Sequence, residues 1–219
     1  MSIELKIGGL AVWCARRGSG KSTMMRYVVD QLLSGGQYEW VKVCCPTAHL
    51  NRDWDHIEAK HIRTTNLEKY IDNLYKRQAD AKALANKNKE RFTSRGVLIL
   101  DDMVGAVGFN SQLWAKISTT GRHYGITTLF AVQYWKSIPP IIRTQADMVC
   151  VMGHLSDAVV KTIYEEYSPP NVKSERHLRA ILNSATADYG ALCIENSRGG
   201  KLYKMKVPAD FRAPKIEQG

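Results

Sequence analysis

Apolar residues in this chain fall into short, dense runs, separated by longer stretches in which they recur at helical spacing. LAVWC (10–14) reads as a buried strand that leads straight into a glycine-rich segment. Residues 21–33, KSTMMRYVVDQLL, place Met25, Val28, Val29 and Leu32 on one helical face, and Gly35 with Gly36 stops that helix. WVKVCC (40–45) is a second strand, and the highly charged stretch 67–92 predicts a long helix or a helix pair. VLILDD (97–102) is the most hydrophobic strand and ends on two acids. NSQLWAKISTTGRHYG (110–125) predicts a helix and ITTLFAVQ (126–133) the strand after it. A proline-marked loop at 139–140 then precedes the strand DMVCVM (147–152). Helices are expected over 156–167 and 174–184, and two alternating runs within 189–207, either side of NSRGG, predict a terminal hairpin.

Strands that alternate with helices imply an α/β domain with a mainly parallel central sheet flanked by helices on both faces. Without an internal repeat or low-complexity linker, residues 1–219 are expected to form one domain. Ligands of such sheets bind beyond the carboxyl ends of the strands. The segment at 15–22, the Asp101-Asp102 pair and Gln133 each follow an apolar strand, so all three should meet at one edge.

The segment Ala15-Arg16-Arg17-Gly18-Ser19-Gly20-Lys21-Ser22 departs from the phosphate-binding pattern G-x-x-x-x-G-K-[S/T] only at its first position. That position depends least on glycine, because its N–H need not face the phosphates. Backbone N–H groups from 17 to 22 and the positive end of the following helix can wrap a β-phosphate. Arg17, Gly18, Ser19, Gly20, Lys21, Ser22 and Thr23 are the candidate nucleotide-binding residues. Lys21 would reach the β- and γ-phosphates of ATP and the Ser22 hydroxyl would ligate Mg²⁺. Asp101 is the metal-side candidate, acting directly or through water, and Asp102 is placed to orient or deprotonate the attacking water, unless it is a helix cap or a surface acid. Gln133 can hydrogen-bond the γ-phosphate or the lytic water, or simply face solvent. Arg122 and Arg143 are candidate arginine fingers, Arg122 favoured to act across a subunit boundary; the plain alternative for either is a structural ion pair. Arg16 and Arg17 could also touch phosphate or a neighbouring chain.

Composition adds a second theme. Thirty-one Lys and Arg against 21 Asp and Glu leave a net charge of +10, with an isoelectric point near 9.4, which favours a polyanionic partner. Charge-free runs such as YGITTLFAVQYW (124–135) fall short of the about 20 apolar residues that span a bilayer. The amino terminus lacks the apolar stretch of a signal peptide, so the protein is expected to act where it is made and not to be secreted. Five cysteines, mostly among apolar neighbours, suggest buried thiols in a reducing compartment, and no cysteine or histidine spacing suggests zinc.

The order of motifs ARRGSGKST, VLILDDM, GRHYGITTLFAVQ and IPPIIRTQADMVCVM resembles the viral DNA-packaging ATPases of the FtsK–HerA superfamily, the poxvirus-type P-loop motors. The Arg-His pair ahead of a strand ending in Gln is the most discriminating element, and the resemblance runs over residues 8–207. It implies a RecA/FtsK-like fold and a ring of five or six subunits, with ATP at each interface and duplex DNA in the channel. Lys21 and Ser22 would hold nucleotide and Mg²⁺, Asp101 would support the metal, and Gln133 would sense the γ-phosphate. Cellular pumps of the superfamily usually carry Glu where this chain has Asp102, whereas the viral branch often has Asp. The resemblance further implies docking to a viral capsid or portal vertex, and action in the host-cell cytoplasm, at a viral assembly site or in association with the virion. Clusters of Lys and Arg at 82–95 and 198–206 would then grip backbone phosphates without reading sequence.

Other P-loop NTPases share the loop. A small-molecule kinase would add an arginine-rich lid, and a GTPase would need N-K-x-D, for which NKNK (86–89) has Lys89 in place of Asp. A terminase-type motor would carry a nuclease domain after the ATPase. A non-packaging DNA translocase or helicase-like ATPase, or a module that holds nucleotide only structurally, would leave the same motifs.

Overall fold

The computed structural model describes residues 5–196 and 200–216. In chain order the elements are β1 (Leu10–Ala15), α1 (Lys21–Ser34), β2 (Trp40–Cys44), α2 (Ala48–Asn51), β3 (Ile62–Arg63) and α3 (Leu67–Lys87). Then come β4 (Gly96–Asp101), α4 (Gln112–Thr120), β5 (Ile126–Val132), α5 (Pro140–Gln145), β6 (Met148–Met152), α6 (Asp157–Tyr167), α7 (Glu175–Ala185), β7 (Ala191–Glu195) and β8 (Lys201–Met205). The strands form one sheet in the order β3-β2-β4-β5-β1-β6-β7-β8. Every pairing from β3 to β6 is parallel, and β7 and β8 join antiparallel as the hairpin. β1 therefore lies in the middle, with Val12 opposite Phe130 of β5 and Val149 of β6.

Alternation along each strand divides the core in two. Leu10, Val12, Cys14, Leu98, Leu100, Phe130, Val149 and Val151 face one side, where α3, α4, α5, α6 and α7 supply Ile71, Trp114, Ile117, Ile142, Ile163 and Leu182. Ala11, Trp13, Val41, Val43, Ile99, Leu129 and Cys150 face the other, covered by Met24, Met25, Val28 and Val29 of α1 and by Trp54, Ile57 and Ile216 from the flanking segments. Strands buried on both faces carry the near-continuous apolar runs seen in VLIL and TTLFAV. All five cysteines are buried and free, and burial pushes the Cys14 and Cys44 thiols up to about 12. Among the described residues, no helix is long and apolar enough to cross a membrane.

The structure corrects several sequence expectations. The stretch 67–92 is one helix that stops at Lys87, and Lys89 then takes a left-handed φ of 59° that a helix cannot continue through. The proline loop at 139–140 starts α5, with a proline at its first turn, where a missing N–H costs no hydrogen bond. The helix expected over 110–125 is shorter: Ser111 caps it by accepting from the Leu113 N–H at 3.1 Å, and residues Gly121–Tyr124 tighten into a 3₁₀ turn. α2 and β3 were not foreseen. Of the NSRGG turn, residues 197–199 lie outside the described residues.

Candidate active site

β1 delivers the chain to the carboxyl edge of the parallel strands, where residues 16–20 turn before α1 begins at Lys21. Gly18 and Gly20 have φ of 78° and 83°, left-handed angles that explain glycine at both positions. The Ser19 N–H donates to the Arg16 carbonyl at 3.2 Å and the Ser19 hydroxyl donates to the same oxygen at 2.5 Å, so this residue closes the turn. The loop rims a cavity of about 590 Å³ lined by Arg17, Gly18, Gly20, Lys21, Ser22 and Thr23 on one side. Asp101, Asp102 and Gln133 line the other side, so three segments that are distant in sequence meet there.

The two acids at the end of β4 have different surroundings. Asp101 is buried: its Oδ1 pairs with the Lys21 ammonium and its Oδ2 accepts from the Trp54 indole N–H at 3.2 Å. The Cys45 thiol lies 4.0 Å from Asp101 Oδ2, and burial pushes it up, against its hydrogen bond with Thr47 and with the Asp101 charge adding to the push. Asp102 adopts a φ of 55° and its carboxylate accepts from the Thr47 hydroxyl at 3.4 Å. Left-handed backbone at a non-glycine residue costs about 1–3 kcal/mol and concentrates at functional sites. Gln133, just past β5, lines both this cavity and a second one of about 450 Å³ shared with Cys14, Arg16, Arg17, Tyr134 and Trp135.

The two candidate fingers are not in this cavity. Arg122 is exposed in the 3₁₀ turn ahead of β5, against Gly8 ahead of β1, where a Cβ on Gly8 would sit 2.4 Å from the Arg122 Cα. That is the amino edge of the parallel strands, opposite the phosphate-binding loop. Arg143 lies in α5 just ahead of β6; its carbonyl accepts from the Tyr167 hydroxyl at 2.6 Å, and its Nε is buried with no hydrogen bond among the described residues. The basic segment 82–95 reaches the same amino edge, where Lys82 donates to the His123 carbonyl at 2.8 Å, whereas the second is split: Lys201 lies opposite Glu195, level with Met148 at the start of β6, and Lys206 pairs with Asp188 at the carboxyl edge. Arg198 and Gly199 lie outside the described residues.

Sequence reading missed the wall of the cavity formed by Arg26, Thr47, Leu50, Asn51 and Asp53, and the Trp54 anchor behind it. The only hint was an indole in a polar, helix-poor stretch, NRDWDH, which carries no periodicity.

Residues 10–206 match the protein family described as Poxvirus A32 protein. The chain is 27% identical over 219 aligned residues to uncharacterized protein 075L of Invertebrate iridescent virus 6, covering 92% of this chain and 78% of that one. Among solved structures it is similar to the genome packaging NTPase B204 of Sulfolobus turreted icosahedral virus 2. The complex of B204 with sulfate superposes with a TM-score of 0.67 at 13% identity, covering 94% of this chain and 100% of that one. The complex with AMPPCP gives 0.65 at 13% identity, covering 92% and 98%. The match over residues 10–206 thus makes the chain a member of the Poxvirus A32 protein family, with the fold of a P-loop NTPase.

Proposed function

We propose that this chain is the motor that drives double-stranded DNA into a viral capsid, one ATPase domain over residues 1–219 acting within a homo-oligomeric ring of five or six subunits. The observation that carries this reading is the convergence of Lys21, Asp101, Asp102 and Gln133 on one cavity in a chain of the Poxvirus A32 family.

The residues present suit a magnesium nucleotide. The left-handed turn at Gly18 and Gly20 leaves the loop open to a phosphate, and the N-terminus of the 14-residue α1 faces the cavity. Among the described residues no group of three or more His, Cys, Asp or Glu could hold a metal by itself. Mg²⁺ is held by one or two protein oxygens and by substrate phosphates, and Ser22 and Asp101 on this cavity would supply the protein oxygens. Bound there, the ion would neutralise charge on the β- and γ-phosphate oxygens.

Lys21 would exchange its pairing with Asp101 for the phosphates, and Trp54 would keep Asp101 oriented while it did so. Asp102, half-exposed and steered by Thr47, would take the proton of the attacking water. Gln133 would hold that water or the γ-phosphate. Arg122, on the far edge of its own sheet, would serve the site of an adjacent subunit. The basic amino edge would hold duplex phosphates in a sequence-independent, salt-sensitive grip. The site of action would be the host-cell cytoplasm or viral assembly site, with a capsid or portal vertex as docking partner.

Translocation itself can be read from a third strand annealed to a duplex. Wild-type protein with Mg·ATP should displace that strand, and Lys21→Ala should leave it in place. A strand that stays bound while wild-type protein consumes ATP on that duplex would contradict a DNA motor.

A further inference from the structure

Tyr189 is 69% exposed, yet it is held in an unusual backbone conformation. It and Asp188 have φ of 61° and 50°, two consecutive non-glycine residues in left-handed space. Such strain persists only where the surroundings fix it, and it clusters at ligand clamps. Here the fixing is visible on both sides. The Gly190 N–H donates to the Ala187 carbonyl at 3.0 Å, and a Cβ on Gly190 would fall 2.2 Å from the Ala185 carbonyl oxygen. Asp188 pairs with Lys206 at 3.3 Å. The Tyr189 ring thus stands at the rim of the phosphate-binding loop: a Cβ on Gly20 would lie 3.2 Å from the Tyr189 Cδ1. Burial does not account for an exposed ring kept in this posture.

The sheet order shows which part of a nucleotide would meet that ring. Asp101 and Gln133 follow β4 and β5, on one side of β1. β7 lies on the other side, and because it runs antiparallel its start is level with the end of β6, Ala191 opposite Met152. Tyr189 is therefore at the same edge as the phosphate-binding loop, on the flank away from the acids. A nucleotide with its γ-phosphate directed to Asp101 and Gln133 would carry its α-phosphate, ribose and base to the opposite flank, toward β6 and β7.

Resting on the nucleotide reading of the cavity, we infer that the Tyr189 ring is the platform against which the base of the bound nucleotide stacks. Every base has a π-face, so the ring supplies affinity for a base without choosing among bases. The contribution expected from one stacked base corresponds to about tenfold in dissociation constant.

Calorimetric titration of the full chain with Mg·ATP and with Mg·tripolyphosphate, which has no base, tests this. Asparagine tolerates left-handed backbone, so Tyr189→Asn removes the ring and keeps the turn. Tyr189→Asn should weaken ATP about tenfold and leave tripolyphosphate within about twofold of wild type, with Tyr189→Phe binding both as wild type does. Lys21→Ala should lose both ligands. Unchanged ATP affinity in Tyr189→Asn, or equal losses of ATP and tripolyphosphate, would overturn the platform and leave the phosphate site standing. A wild-type chain that binds neither ligand would overturn both.

Discussion

Asp101 is held between the Lys21 ammonium and the Trp54 indole N–H, whereas its neighbour Asp102 turns into left-handed backbone and reaches toward Thr47. Adjacent carboxylates thereby acquire different surroundings: one is buried and paired, the other is half-exposed. Arginine placement is equally telling. Arg122 sits against Gly8 at the amino edge, so any contribution to catalysis must go to a neighbour's site. Mixing Arg122→Ala subunits with Lys21→Ala subunits should therefore restore ATPase activity that neither variant has alone. Each mixed ring then holds boundaries where an intact Lys21 meets an intact Arg122. Removal of an arginine finger costs about 10³–10⁵ in turnover, so even partial rescue stands well above background. Mixed rings of confirmed assembly with no rescue would deny Arg122 that role. At this scale the loop and the acids were legible because each carries its own local spelling. The partners of Asp101 were not, since Lys21 and Trp54 lie 80 and 47 residues away and only the fold brings them together.

Among the elements, β1, α1, β4 and β5 follow directly from apolar runs and helical spacing, because the three strands are buried along their whole length and α1 turns one apolar face, Met24, Met25, Val28, Val29 and Leu32, to the sheet. The short α2, β3 and α5 escaped for the opposite reason: two to six residues carry no period, and packing instead of propensity shapes them. The segment between α2 and β3 matters most, because it carries Trp54. His56 stacks on Trp54 with ring centroids 6.0 Å apart, and the carboxyl-terminal tail clamps the segment through an Ile216 N–H to His56 carbonyl bond of 2.7 Å. Burial, then the Arg26 charge, push the His56 imidazole from 6.5 down to about 4, against the opposing pull of Asp55. The folded state thus favours the neutral ring, and the unfolded chain takes up the proton first. Its contribution to stability is complete above about 6.5 and is lost progressively as pH falls toward about 4. Denaturant midpoints measured across that interval should fall for the wild type and fall less steeply for His56→Phe. Identical slopes would show that His56 is not the group responsible.

For the whole molecule, the two edges of the sheet carry different chemistry. The carboxyl edge holds the phosphate-binding loop, the acids and Tyr189, and the amino edge collects Arg122, Lys82 and the start of the basic β8. Positive charge is present at both edges, because Arg16, Arg17 and Arg26 line the cavity and Lys206 pairs with Asp188 beside it. Family and fold order were both readable from the sequence of motifs, whereas the opposition of the two edges follows only from strand direction. In the proposed motor, duplex DNA and ATP hydrolysis are coupled within an assembled ring. That coupling is tested most directly by steady-state ATP turnover with and without duplex at low and high salt, with the assembly mass recorded on the same samples. Turnover should rise with duplex of any sequence at low salt, lose that rise as salt increases, and belong to a multimer. A monomer whose turnover is indifferent to duplex at low salt would rule out a DNA-coupled ring motor.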